Sequence, residues 1–130
     1  MQIIKYAFQQ QRDERGDLVA VEACRDIPFE IKRVYYVYGV SENVRRGYHA
    51  HKNLEQVLVC VSGSCTIHLD DGKEQREVVL DSPAEGLYIG KKIWHEMYDF
   101  TKDAVLMVLA SEYYAEDDYI REYGEFQRYI

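Results

Sequence analysis

The stretch Gln56–Leu80, QVLVCVSGSCTIHLDDGKEQREVVL, reads as strands in close succession. Gln56–Val61, Ser64–Leu69 and Glu74–Leu80 are rich in the β-branched and aliphatic residues that suit a pleated, half-buried surface. Ser62-Gly63-Ser64 breaks the first run from the second, and Asp70-Asp71-Gly72 is a strong hairpin signal before the third. Further runs lie upstream at Gln2–Phe8, Leu18–Ala23, Ile31–Val40 and Tyr48–His51. Downstream come Leu87–Ile89, Ile93–Asp99 and Val105–Ala110. Gly16-Asp17, Asp81-Ser82-Pro83 and Gly90-Lys91-Lys92 supply the intervening breaks. Strands so closely spaced, with no helices between them, predict an all-β antiparallel sandwich or barrel.

At 130 residues the chain has room for one domain, residues 1–130, and its 47% hydrophobic content argues against disorder. No apolar run approaches the ~20 residues of a membrane span. The N-terminal MQIIKYAFQQQRDERGD lacks a signal-peptide pattern, so a cytoplasmic protein is expected. A net charge of −7 argues against nucleic acid as a partner. The cysteines, Cys24, Cys60 and Cys65, form no C-x-x-C pair, and Cys60 and Cys65 read as small core residues. A short C-terminal helix is expected over Asp117–Ile130, where Tyr119, Ile120, Tyr123, Phe126 and Ile130 recur at helical spacing. Val57–Val61 and Val105–Leu109 are apolar on both faces. One face fills a barrel; the other needs a cover, which a second subunit or the terminal helix could provide.

Chemistry concentrates in Gly47-Tyr48-His49-Ala50-His51-Lys52. On a strand His49 and His51 point to one face, with Cα atoms roughly 7 Å apart. Two imidazoles in one volume suit metal ligation or paired acid–base work. Arg45, Arg46 and Lys52 make the segment a basic island in an acidic chain, fit for a phosphate-bearing ligand. His95, after the Gly-Lys-Lys turn, could join the pair. His68 precedes a tight turn and is expected to face solvent, without a role.

The pattern Gly47-x-His49-x-His51, then Glu55, Gly63 and His95, resembles the two-motif signature of the cupin superfamily. That implies a double-stranded β-helix, or jelly roll, with its site inside. A closer resemblance covers nearly the whole chain. Arg33-Val34-Tyr35-Tyr36, Arg46-Gly47-Tyr48-His49-Ala50-His51-Lys52, Val59-Cys60-Val61-Ser62-Gly63-Ser64-Cys65, Leu69-Asp70-Asp71-Gly72 and the tail with Asp118-Tyr119-Ile120-Arg121 and Tyr123 are similar to the sugar 3,4-ketoisomerases. The resemblance implies a metal-independent enzyme without a cofactor, acting on dTDP-4-dehydro-6-deoxyglucose for synthesis of a 3-amino-3,6-dideoxy sugar. It also implies a homodimer with exchanged N-terminal strands.

Moving a ketone from C4 to C3 needs a base near neutral pH, a proton shuttle and donors for an enediolate. The resemblance implies that His49 and His51 are the catalytic pair, with His49 the proton acceptor; spacing alone does not distinguish them. Arg33 and Tyr35 share one face of their strand, and Val34, Tyr36 and Tyr38 the other. The resemblance favours Arg33 and Tyr35 as substrate-binding residues, joined by Arg46 at the diphosphate and His95 at the sugar. Trp94 and the tyrosines could stack on thymine. Alternatives stay open: a metal-dependent cupin using His49, His51, Glu55 and His95, a sugar-nucleotide 3,5-epimerase, or a non-catalytic sugar-nucleotide-binding cupin.

Overall fold

The computed structural model describes residues 1–130. Its strands are β1 (Lys5–Ala7), β2 (Gln10–Asp13), β3 (Gly16–Val19), β4 (Arg33–Tyr38), β5 (Arg46–His51), β6 (Gln56–Ser62), β7 (Cys65–Asp70), β8 (Gln75–Leu80), β9 (Glu85–Ile89), β10 (Trp94–Tyr98), β11 (Val105–Ala110) and β12 (Tyr119–Ile120). Helix α1 (Tyr123–Tyr129) follows. The strands form two five-stranded sheets, ordered β1-β9-β6-β11-β4 and β12-β5-β10-β7-β8, with β2-β3 as a separate hairpin. Every strand pairing is antiparallel. The expected all-β fold with a short C-terminal helix is therefore present.

The space between the sheets is filled by the inward residues of both. Leu58 and Cys60 of β6, Ile67 and Leu69 of β7, Leu80, Leu87, Ile89, Leu106 and Val108 are all buried there. Removing one such aliphatic side chain from water stabilises the fold by about 1.5–3 kcal/mol. Cys60 and Cys65 lie in this core, as expected. Toward the Ala110 end of β11 the inward positions change character: Arg33 and Gln56 flank Ala110 in register. The sandwich thus has an apolar end and a polar end.

Two further clusters cover the outer faces. Val57, Val59 and Leu109, on the outside of the first sheet, lie under Phe8, Ile27 and Phe29 of the same chain. The cover expected from a second subunit or the terminal helix is thus supplied by the N-terminal segment. Helix α1 covers the other sheet, where Phe126 packs with Ala50, Trp94 and Ile120.

Some local expectations are corrected. Residues 117–122 are not α-helical: Glu116–Asp118 is a single 3-10 turn, and Tyr119–Ile120 pairs with β5 before α1 begins. The strand expected over Leu18–Ala23 is displaced, because Gly16, at φ +123°, closes a hairpin between β2 and β3. Gly47 sits at φ +93°, where a Cβ would stand 2.8 Å from the His95 carbonyl oxygen. The β5–β10 register shifts there between His95 and Glu96, a bulge of the kind that re-aims side chains beside a site.

Candidate active site

Strand parity and the bulge bring three imidazoles together. His49 and His51 alternate with Ala50 on β5 and face inward, and His95 lies opposite His49 in register. Ring centroids are 5.0 Å apart for His49–His51, 4.5 Å for His49–His95 and 6.1 Å for His51–His95.

Hydrogen bonding assigns the tautomer of each ring. His49 Nδ1 lies 3.1 Å from the Gly47 carbonyl and His95 Nδ1 3.1 Å from the Ile93 carbonyl. A carbonyl only accepts, so both Nδ1 atoms carry the proton. His51 Nδ1 lies 3.0 Å from Asp118 Oδ2, and an ionised carboxylate likewise only accepts. All three Nε2 atoms are left with a lone pair. That of His95 accepts from Gln56 Nε2 at 3.2 Å, while Tyr35 Oη donates to Gln56 Oε1 at 3.2 Å. Those of His49 and His51 are buried and meet no protein partner.

Burial dominates the titration of the cluster. Desolvation disfavours an imidazolium at every member; a charge on His49 opposes one on His51, and charges on His49 and His51 oppose one on His95. His49 is held below the ordinary imidazole value mainly by desolvation, against the pull of the Gly47 carbonyl. His51 is pushed down to about 4 by desolvation and by His49, with Asp118 opposing. His95 lies well below the ordinary value, again chiefly through desolvation. At neutral pH the cluster therefore presents bases. Burial raises Tyr35 to about 12, so its hydroxyl stays a donor.

These shifts fix a stability dependence. An unfolded histidine titrates near ~6.5; the folded ones titrate lower, so the unfolded chain binds more protons on acidification. Stability is then full above pH ~6.5 and declines as pH falls toward about 4, where His51 titrates. Denaturant midpoints are expected to hold between pH ~7.5 and ~6.5 and to fall from there to pH ~5. A midpoint that rises over this range would contradict neutral, buried imidazoles.

Beside the cluster lies a cleft of about 280 Å³, lined in part by Arg33, Tyr35, Arg46, His49, Tyr119 and Arg121. Arg33 Nε is buried without a partner, and its guanidinium lies 5.1 Å from the Tyr35 ring. Arg121 stacks at 4.1 Å on Tyr119 and bonds Glu116 through two nitrogens at 2.8 and 3.0 Å. An anion that enters this cleft meets guanidinium groups on several sides. A larger groove, about 670 Å³, runs past Lys52, Glu112, Asp117 and Asp118. Its acids outnumber its lysine, so a polyphosphate is repelled there and attracted to the smaller cleft.

Arg33, Tyr35, Arg46 and His49 thus meet at one cleft, with β4 turning Arg33 and Tyr35 inward and leaving Val34, Tyr36 and Tyr38 exposed. His51 lies behind it and His95 beneath, both buried. Trp94 does not join them: it sits on the outer face against Phe126, with its Nε1 donating to Glu96. His68, expected to face solvent, is half-buried and bonded to Glu77 Oε1 at 2.5 Å. Glu55 is also elsewhere, its Oε1 accepting from the Tyr88 hydroxyl. The inward position is Gln56, as the inward Leu58 and Cys60 require by parity.

This decides how well a metal would fit. The ligand atoms of His49, His51 and His95 lie within 4.8 Å of one another. A site of three histidines and a carboxylate is not assembled, because Glu55 is held by Tyr88 and His95 Nε2 is taken by Gln56. Sequence reasoning assigned no role to Gln56, Asp118, Tyr119 or Arg121. Parity would have found Gln56. The others belong to a tail whose helical spacing conceals a 3-10 turn and a short strand paired with β5.

A two-sheet barrel with clustered histidines at its polar end is a cupin. The family described as FdtA: WxcM-like, C-terminal matches residues 1–130, and the chain belongs to it. It is 58% identical over 123 residues to a TDP-4-oxo-6-deoxy-α-D-glucose-3,4-oxoisomerase of Aneurinibacillus thermoaerophilus, covering 95% of this chain and 88% of that protein. A 3,4-ketoisomerase from Helicobacter canadensis superposes with a TM-score of 0.96 at 48% identity, over 99% of this chain and 97% of that one. A histidine-to-asparagine variant of the 3,4-ketoisomerase QdtA from Thermoanaerobacterium thermosaccharolyticum, in complex with TDP-4-keto-6-deoxyglucose, gives 0.96 at 46% identity, over 98% and 92%. No helix is long and apolar enough to cross a membrane.

Proposed function

We propose that this chain is a sugar-nucleotide 3,4-ketoisomerase that moves the keto group of dTDP-4-dehydro-6-deoxyglucose from C4 to C3 through an enediol. One observation carries the reading: His49 lines a cleft walled by arginines, with His51 5.0 Å behind it, and both keep a buried Nε2 lone pair that no protein group takes. The similarity to enzymes named for this conversion supports the substrate.

The proton movements balance without a redox partner. His49 Nε2 takes the C3 proton, which the neighbouring carbonyl acidifies, and the electron pair of that bond forms the C3–C4 double bond while O4 becomes an enediolate oxygen. His51 Nε2 accepts the O3 hydroxyl proton and passes it to O4. The imidazolium of His49 then delivers its proton to C4, and the electrons on O3 close the new C3 carbonyl. Each imidazole ends as it began. Tyr35 donates to a sugar oxygen, Arg33 and Arg46 hold the diphosphate, and His95 supports His49 from beneath. No step runs through a metal.

The product is the substrate class for amination at C3, toward a 3-amino-3,6-dideoxy sugar. A homodimer with exchanged N-terminal strands belongs to the same reading, supported by Val34, Tyr36 and Tyr38, which stand 53%, 63% and 70% exposed on the edge strand β4. So does a cytoplasmic location, since a charged nucleotide sugar does not cross a bilayer unaided.

The test is proton NMR of dTDP-4-dehydro-6-deoxyglucose with chelator-treated protein in D2O. Loss of the C3 proton signal with growth of a 3-keto product is the expected result. A persistent C3 proton would sink the isomerase reading, and activity that returns only with added Fe2+ or Mn2+ would replace it with a metal-dependent one.

A further inference from the structure

The tail motif Asp118-Tyr119-Ile120-Arg121 carries a residue that the chemistry above does not use. Asp118 is nearly buried, with its side chain 12% exposed, and it is held from several directions. Its Oδ1 accepts the Asn53 N–H at 2.8 Å and its Oδ2 the Leu54 N–H at 3.3 Å. Its carbonyl accepts the Lys52 N–H at 3.0 Å, and its own N–H reaches the Ala115 carbonyl at 3.1 Å. The carboxylate is therefore fixed by backbone before it meets His51 Nδ1 at 3.0 Å. With the Asn53 and Leu54 N–H groups donating to it, the carboxylate meets His51 as an acceptor.

We propose that Asp118 is the positioning residue of the proton relay. It holds His51 as the Nδ1–H tautomer, so that the lone pair on Nε2 faces the substrate and a proton can be taken from a sugar hydroxyl. This rests on the ketoisomerase reading and deepens it. The groups facing His51 are His49 on β5, His95 on β10, Tyr119 on β12, Arg33 on β4 and Asp118. Only Asp118 brings a negative charge to offset the imidazolium that forms in mid-reaction. Without it, burial, the neighbouring His49 and the Arg33 guanidinium all oppose that charge.

The discriminating substitution is Asp118→Asn. With the amide oxygen at the Oδ1 position the Asn53 N–H bond and both backbone bonds of residue 118 are kept, and only the longer Leu54 N–H bond to Oδ2 is given up, so the loop stays tied. The amide nitrogen turned to His51 Nδ1 can only donate, which forces the proton onto Nε2 and removes the acceptor. The expected result is turnover lower by roughly 10²- to 10⁴-fold, the range seen when a carboxylate that orients a catalytic histidine is lost. TDP affinity and melting temperature are expected to stay near the parent's. In ¹⁵N NMR of the TDP complex, the His51 Nε2 signal is expected to move from the unprotonated to the protonated range. Asp118→Glu keeps the charge and is expected to retain the parent tautomer and most of the turnover.

A parent protein with His51 already protonated at Nε2 would overturn the proposal. So would an Asn variant whose tautomer inverts while turnover holds. Should the Asn variant not fold, the Glu variant decides: parent tautomer with activity supports the proposal, and an altered tautomer with full activity defeats it. A parent protein that shows the Nδ1–H tautomer yet ignores the sugar defeats the ketoisomerase reading instead, and leaves Asp118's hold on His51 supported.

Discussion

A His49→Asn protein is expected to bind TDP as the parent does and to exchange the C3 proton at least ~100-fold more slowly, the lower range for loss of a positioned general base. The expectation rests on geometry. His49 is the member of the cluster that lines the cleft, and its Nε2 is buried with no protein partner. Its one side-chain bond is to the Gly47 carbonyl at 3.1 Å, which an asparagine amide can also reach as a donor. Folding is thus preserved while the only basic atom is removed. His51 cannot substitute, because its ring is turned toward Asp118 and Tyr119, 5.0 Å from the His49 ring. The measurement is C3 deuterium exchange followed by NMR, beside TDP titration calorimetry on the same preparation. Exchange within ~5-fold of the parent, on a scale where a base contributes ~10²–10⁴, would place the base on another residue.

The sandwich was legible because a strand's side-chain period is 2 and its breaks are made by turn residues. The runs at Gln56–Val61, Ser64–Leu69 and Val105–Ala110 survive in β6, β7 and β11 with shifts of at most one residue at an end. The His49–His51 pairing on one face follows from the same period. Local reasoning fails where a side chain's environment is set by a distant segment. Tyr119 and Ile120 match helical spacing with Tyr123 and Phe126, yet Tyr119 turns in toward His51 while Ile120 turns out toward Phe126. Their opposite orientations are strand alternation, imposed by pairing with β5. Glu55 and Gln56 are the opposite case at single-residue scale. Both are polar, and strand parity with the inward Leu58 and Cys60 selects Gln56, which the register of β6 against β11 then sets opposite Ala110 and within reach of His95. The parity of β4 was undecidable locally because tyrosines occur on both faces.

The C-terminal helix offers the largest expected effect on stability. Phe126 is fully buried, and its ring centroid lies 5.8 Å from that of Trp94 and 5.6 Å from that of Tyr123. Phe126→Ala is expected to destabilise the protein by about 3–5 kcal/mol, through lost transfer energy and an unfilled cavity. For a chain of this size that is roughly 10–20 °C in melting temperature. Gln127→Ala, one residue along on the exposed face, is expected to change stability by no more than about 0.5 kcal/mol. The cavity would open directly behind Ala50 and Ile120, the outward residues of the two strands whose inward residues are His49, His51 and Tyr119. The Tyr123 hydroxyl, bonded to Asp70 Oδ2 at 2.6 Å, keeps a second anchor on α1, so the helix is expected to loosen without detaching. Turnover should then decline more than TDP affinity, because one cleft arginine, Arg33 on β4, is held by the opposite sheet while all three imidazoles, on β5 and β10, belong to the sheet that α1 covers. Thermal melts of the two variants, with turnover and TDP binding measured below both transitions, check this. Equal losses in binding and turnover would show that α1 supports the whole cleft and not the imidazole side alone.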